Sequence, residues 1–204
     1  ILSKGHASLG FYAILNQEKY ISDKIFFNFA KFNSQLGGHP KRNEKIFTTA
    51  STGSLGHGLP IITGMAFASK NLNKNTKHFF ILMGDQECNE GTIWESLLLC
   101  NHYKLNNITI IIDRNYSREN DLSLGNLSKK FKEFSSSIHQ VNGHDEKGLL
   151  KLLNKKNKSF NPKIIIANTV KGFGSKIIEK DNSWHHRYPK NKFELDKILQ
   201  SIKY

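Results

Sequence analysis

An α/β fold is what this sequence predicts: three layers, a mostly parallel sheet with helices on both faces. Two observations carry that prediction. Apolar runs of strand length, "KHFFILM", "NITIIID" and "PKIIIANTV", are rich in branched residues and lack alternation, as expected of strands buried on both faces. Segments with helical patterning separate these runs, which calls for parallel strands joined by right-handed crossovers.

Taken in order, the first helix is expected from His6 to about Glu18, with Ala7, Phe11, Ala13, Ile14 and Leu15 as its apolar positions. A second follows Ser22, a good N-cap, in "SDKIFFNFAKF". The loop "LGGHPKRNEKIFTTASTGSLGHG" comes next, rich in Gly, Ser and Thr. "LPIITGMAFASKN" is apolar nearly all round and reads as a buried helix. Strand "KHFFILM", helix "NEGTIWESLLLCNHYK" and strand "NITIIID" form one crossover unit. A short helix "LSKKFKEF", a short strand "SIHQVN", the helix "DEKGLLKLLNKK" and the strand "PKIIIANTV" continue the alternation. A long loop over 171–191 leads to a last helix, "KFELDKILQSI".

The chain has 204 residues, 38% of them hydrophobic, enough for one large domain spanning 1–204; no internal repeat or second domain is evident. Charged residues make up 23%, so the composition is not that of a disordered chain. No apolar run approaches the ~20 residues of a membrane span, and no signal peptide is visible. The formal charge of +13 raises the question of nucleic acid. The lysines are scattered among Asn and Ile, however, with no arginine-rich stripe, and read as a solvated surface. Cys88 and Cys100 match no zinc spacing and read as small buried hydrophobes in a reducing, cytoplasmic setting.

In open parallel sheets ligands sit beyond the carboxyl ends of the strands. The stretches to weigh are therefore Gly84–Glu90, Asp113–Ser117 and Lys171–Gly174. Asp85 and Asn115 lie thirty residues apart, one strand–helix–strand crossover. On neighbouring strands their oxygens could meet at the sheet edge and serve a hard cation such as Mg²⁺, which leaves much of its octahedron to phosphate and water. Helix N-termini near Asn89 and Gly56 would add N–H groups for a diphosphate. Spacing alone is equally compatible with Asp85 and Asn115 capping helices or turns.

The blocks "LSKGHAS" (2–8), "GGHP" (37–40), "TGSLGHGLPIITGMA" (52–66), "GDQECNEGTIWES" (84–96), "IIDRN" (111–115) and "VKGFGSKIIEKDNSWHH" (170–186) resemble successive blocks of transketolase, in that family's order and spacing. The likeness is to its N-terminal, diphosphate-side half and covers most of residues 2–189. It implies the thiamine-diphosphate-binding fold, with Mg²⁺ (or Ca²⁺) held by Asp85, Asn115 and the backbone carbonyl of Ser117. Gly53, Leu55, Gly84, Gln86, Glu95, Asn115, Lys171 and His185 are implied as cofactor contacts. His6, His39, His185 and Glu90 are implied as catalytic groups, where neutral histidines can act as acid, base or hydrogen-bond donor.

The same resemblance implies a transferase of carbohydrate metabolism, of the pentose phosphate kind, moving a two-carbon ketol unit between sugar phosphates. It also implies that the first portion of the family domain and the whole pyrimidine-binding half lie outside this chain. A separate pyrimidine-binding, C-terminal-type subunit is thus expected, in a homodimer or an α₂β₂ assembly. Two alternatives stand beside this: the same chemistry on a specialised ketose, or a degenerate structural or regulatory homologue. The last is motivated by Gln86, where the family motif has Gly, a residue that lets backbone approach the diphosphate closely. The segment after Asn115 and His186 also depart from the family pattern. His57 stands where the family more often has Gln. His78, His102, His139, His144 and His186 are read as structural or surface residues, and Trp94 and Trp184 as packing.

Overall fold

The computed structural model describes residues 1–72, 77–116, 122–185 and 187–202. Four parallel strands form the sheet: β1 (Phe79–Gly84), β2 (Ile108–Arg114), β3 (Ile138–Asn142) and β4 (Lys163–Asn168), in the order β1-β2-β4-β3. The helices are α1 (Ser8–Gln17), α2 (Asp23–Phe26), α3 (Gly58–Asn71), α4 (Gly91–His102), α5 (Leu127–Phe131), α6 (Glu146–Asn154) and α7 (Lys192–Ser201). Short 3₁₀ turns cover Gly5–Ala7, Glu44–Ile46, Asp85–Asn89 and Asn182–Trp184.

The strand order makes the layers. The step β1→β2 runs one way across the sheet and β3→β4 runs the other, so right-handed crossovers place α4 and α6 on opposite faces. One face buries Ile81, Met83, Ile110, Ile112, Ile164 and Ile166 against Leu59, Ile62 and Ala66 of α3, Ile93 and Leu97 of α4, and Leu127 and Phe131 of α5. On the other face Lys163 reaches α6 and donates to the carbonyls of Leu152 (2.9 Å), Leu153 (3.2 Å) and Lys155 (2.5 Å) at that helix's C-terminus. A second cluster, Tyr12, Leu15, Ile21, Leu36 and Ile46, knits α1 to the loops that follow it.

Three expectations are adjusted. The first helix begins at Ser8, with His6 in a separate 3₁₀ turn before it. The second is cut to four residues: Ser22 does cap it, accepting the Ile25 N–H, but Ala30 and Asn33 take left-handed backbone (φ 56° and 59°) and the chain turns back. Not every strand is buried on both faces. No residue of β3 is fully buried, because β3 is an edge strand, and Phe80 of β1 lines an open apolar cavity with Leu82, Ile111, Phe11 and Phe47.

Register sets the site. Gly84 stands opposite Asp113, Arg114 opposite Asn168, and Asn142 opposite Asn168, so all four strands end on one level. The segment Ile1–Ser3 adds to the edge beside β1: Leu2 bridges Leu82 in parallel, and the Ser3 N–H donates to the Leu82 carbonyl (2.8 Å). This carries Lys4 and His6 to the same carboxyl edge.

Candidate functional site

At that edge lies a cleft of about 410 Å³ lined by Lys4, His6, Asp113, Asn115, His144, Thr169, Lys171, Phe173 and His185 among others. The side chains arrive from the strand ends and from the segments just beyond them.

Asp85, the first residue after β1, is 4% exposed. Its Oδ2 accepts the backbone N–H groups of Asn115 and Tyr116, both at 3.1 Å, and its Oδ1 accepts that of Gln86 (2.9 Å). The carboxylate thus ties the end of β1 to the end of β2. Burial pushes its pKa up, and Asp113 adds to this, against the opposing pull of the N–H donors. The chain kinks here: Tyr116 takes left-handed backbone (φ 58°), held by its N–H to Asp85 and by its hydroxyl, which donates to Asn168 Oδ1 (2.8 Å). Such strain in a non-glycine residue is of order 1–3 kcal/mol and gathers at functional sites.

Asp113 is the second acid of the edge. Lys4 Nζ and the Thr169 hydroxyl both donate to it, so the cation on the N-terminal segment, β2 and the end of β4 are joined. Lys171 donates to Nδ1 of His185, which fixes that ring with its proton on Nε2 while neutral. The rings of His6 and His185 lie 6.2 Å apart. Partial burial in the cleft pushes His6 down to about 4, with Lys4, His185, Lys171 and His39 adding to the effect. His6 is therefore neutral at physiological pH. His39 borders the same corner: a Cβ on Gly5 would meet its Cδ2 at 2.8 Å, and one on Gly53 would meet it at 3.1 Å.

The structure thus gathers His6, Asn115, Lys171 and His185 in one cleft, with Asp85 and Gly84 at its β1 side and His39 and Gly53 beside His6. Gln86 does not take a positive φ, and its side-chain oxygen is turned back along the 3₁₀ turn to accept from Asn89 Nδ2 (3.1 Å). Leu55 is exposed in the loop before α3. Glu90 starts α4 packed against Gly56, where a Cβ would meet its Cβ at 2.6 Å. Glu95 stands apart from the cleft. It is exposed on the outer side of α4, in a groove of about 460 Å³ with Pro60, Thr63, Phe67, Leu99 and Tyr103. Ser117 and His186 lie outside the described residues.

Four residues of the edge were not singled out from sequence. Lys4 and Asp113 sit inside quoted motifs, but their pairing spans the chain and no local pattern signals it. His144, expected as a structural or surface residue, lies in the tight turn after β3 and lines the cleft. Glu87 is buried (1% exposed) and accepts hydrogen bonds from the Ser3 hydroxyl, the Gly56 N–H (3.2 Å) and the Gly84 N–H (2.8 Å). An acid in a strand–turn–helix junction reads from sequence as a helix N-terminal charge, which hides such a hub.

A parallel sheet with acids, amides, cations and histidines converging at its carboxyl edge is the arrangement of an α/β ligand-binding domain. The family described as "Transketolase, thiamine diphosphate binding domain" matches residues 1–198, and this chain belongs to it. It is 35% identical over 208 residues to one subunit of the apulose-4-phosphate transketolase of Actinobacillus succinogenes, covering 100% of this chain and 75% of that one. Human transketolase is 34% identical over 99% of this chain, which spans 33% of the human protein. Among solved structures, transketolase from Campylobacter jejuni superposes with a TM-score of 0.88 at 27% identity, covering 98% of this chain and 33% of that one. Transketolase from Leishmania mexicana gives 0.86 at 27% identity, covering 97% and 32%. The expected fold class and family are thereby borne out. This chain spans about a third of the full-length transketolases it matches.

Proposed function

We propose that the chain is the diphosphate-side component of a two-component transketolase. It would bind Mg²⁺–thiamine diphosphate and, with a separate pyrimidine-binding subunit in an α₂β₂ assembly, transfer a two-carbon ketol unit between sugar phosphates. The observation that carries this reading is the convergence of Asp85, Asn115, Lys4, Lys171, His6 and His185 at one strand-end level. Relatives that are themselves named as single subunits of a transketolase support the split arrangement.

The donor set fits a hard divalent cation. Asp85 is a buried carboxylate; among the described residues no cationic side chain forms an ion pair with it, and Oδ1 accepts one hydrogen bond. Buried charges of that kind are ordinarily paired or metal-bound. Among the described residues no three His, Cys, Asp or Glu side chains cluster, so the remaining ligands would be amide and carbonyl oxygens, as Asn115 and the Ser117 backbone would provide. Thiamine diphosphate, when bound, supplies the carbanion chemistry of the transfer.

This chain's own residues would do the rest. Lys171, beyond β4, offers a positive charge to the diphosphate. Lys4, held by Asp113, keeps a second cation at the cleft without leaving it unbalanced. His6, neutral at working pH, can accept or donate a proton at a sugar hydroxyl, and His185 presents its Nε2–H. His39 borders His6 and closes that corner of the cleft. The two buried free thiols support a reducing, cytoplasmic setting. Titration of thiamine diphosphate with Mg²⁺ into the chain and its partner tests the reading; no binding and no two-carbon transfer would overturn it. A second reading, transfer from a specialised ketose phosphate, is favoured by the apulose-4-phosphate enzymes among the relatives. A donor panel of xylulose 5-phosphate and apulose 4-phosphate separates the two.

A further inference from the structure

The turn after β3 is built more tightly than a connecting loop requires. The Gly143 N–H donates to the Asn168 carbonyl (2.7 Å), and a Cβ on Gly143 would lie 2.3 Å from Thr169 Cγ2. Only glycine lets β3 and β4 end this close together. Asn142 Oδ1 accepts the His144 N–H (3.0 Å), and Asp145 caps α6 by accepting the Gly148 N–H (3.0 Å). His144 is therefore fixed from both sides, and its ring meets the Lys171 loop at two points. The Val170 N–H donates to Nε2 (2.8 Å), and the Phe173 ring stacks on the imidazole with centroids 3.7 Å apart. These two contacts bracket Lys171 and Gly172.

A backbone N–H can only donate, so Nε2 of His144 carries the lone pair and the neutral ring bears its proton on Nδ1. From the other side the loop abuts Ile178: Gly172 has φ 77°, and a Cβ there would lie 2.7 Å from the Ile178 backbone. Phe173 is 60% exposed, so its ring is not held by a core. The His144 face is what orders it.

We infer that His144 is a positioning residue: as the Nδ1–H tautomer it clamps the loop at Val170 and Phe173 and so holds Lys171 toward the cleft. This rests on the reading of Lys171 as a diphosphate contact, and the test separates the two. Long-range ¹H–¹⁵N spectra of the full chain at pH 8, where histidine is neutral, should show His144 as the Nδ1–H tautomer. The Val170 amide should be protected from exchange in the parent and in His144→Gln, whose Oε1 can take the place of Nε2, but not in His144→Ala. With the partner subunit present, His144→Ala should weaken thiamine diphosphate binding about tenfold, the scale of one lost hydrogen bond with an orphaned donor. His144→Gln should stay within about twofold of the parent, and His144→Ala should add nothing in a Lys171→Ala background. An Nε2–H tautomer, a Val170 amide still protected in His144→Ala, or additive losses would overturn the clamp. A parent that binds no better than Lys171→Ala would instead overturn the cofactor role of Lys171, while the tautomer and the amide, which need no cofactor, decide the clamp.

Discussion

Replacing Glu87 with Gln tests whether the site is held by one buried carboxylate. Glu87 joins three separate segments: Ser3 of the N-terminal edge, Gly56 of the loop before α3, and Gly84 at the end of β1. The Gly56 and Gly84 N–H groups approach opposite oxygens. A carboxamide has one oxygen, so one of those N–H groups must face an NH₂ and is left orphaned in the interior. That costs about 1–3 kcal/mol, and loss of charge assistance in the surviving bonds adds about 1 kcal/mol. The expected loss is about 3 kcal/mol, or about 6–12 °C in Tm for a chain of this size. Glu87→Ala, which strands all three donors, should lose more. Thermal and urea denaturation of the full chain measure both, and m should be unchanged if only native-state bonds are lost. A Tm for Glu87→Gln within about 2 °C of the parent would refute the hub. Because the joined segments also carry Lys4, Gly53 and Asp85, the surviving folded fraction should bind cofactor more weakly as well.

Asp85 should behave in the opposite sense. Its folded pKa is raised above 3.8, so its contribution to stability is fully present below that value and lost as pH rises through the raised one. In cation-free buffer at pH 7, Asp85→Asn removes that unfavourable charge but leaves one of the three N–H donors facing an NH₂, so it should lose less stability than Glu87→Gln. Saturating Mg²⁺ with thiamine diphosphate at about 100 Kd should stabilise the parent by about 2.7 kcal/mol and leave the variant unshifted in a thermal-shift assay; equal shifts would refute the cation role. His6, lowered from 6.5 to about 4, favours folding while neutral. That contribution is present above pH 6.5 and lost as pH falls toward 4, so urea midpoints between pH 7 and 4 should fall less steeply in His6→Gln. The Cys100 thiol is pushed up to about 11 by burial, and Cys88 is raised further, so both should resist iodoacetamide at pH 8 until the chain unfolds.

The fold was legible because its signals are local. The "KIIIA" of β4 lacks alternation because both faces are covered, and periodicity reports that directly; the "ITIII" of β2 reads the same, although its Ile111 opens onto the cavity beside β1. Where burial is one-sided the same inference overreaches, as at β3, whose edge position is a property of the strand order and not of its own residues. The truncation of α2 has a similar origin: Ser22 announces a helix start, but the stop involves left-handed Ala30, a residue type that carries no breaking signal, together with Asn33. At the site, residues adjacent to strand ends were visible since chain position alone places them at the edge. Asp85, Asn115 and Lys171 are of this kind. Lys4–Asp113 and Ser3–Glu87 are not, since each pair is joined only when the N-terminal segment docks beside β1.

That docking explains how a site of such mixed charge can exist before any cofactor arrives. Lys4 and Lys171 would repel each other across an open cleft, and both depress the protonation of His6. Each cation has a fixed neighbour that limits its reach: Asp113 for Lys4, His185 for Lys171. Asp85 has backbone donors in place of a cation, so its charge is oriented without being neutralised. The edge therefore offers a positive group and a negative group held apart by the register Gly84↔Asp113 and Arg114↔Asn168. On the proposed reading, a metal–diphosphate pair would suit both ends at once, with its cation at Asp85 and its anion at Lys171. Either charge alone would meet only one of the two ends. Thiamine diphosphate without Mg²⁺, and Mg²⁺ without the diphosphate, should thus each bind far more weakly than the two together, and a calorimetric titration of each alone and then of both gives that coupling directly.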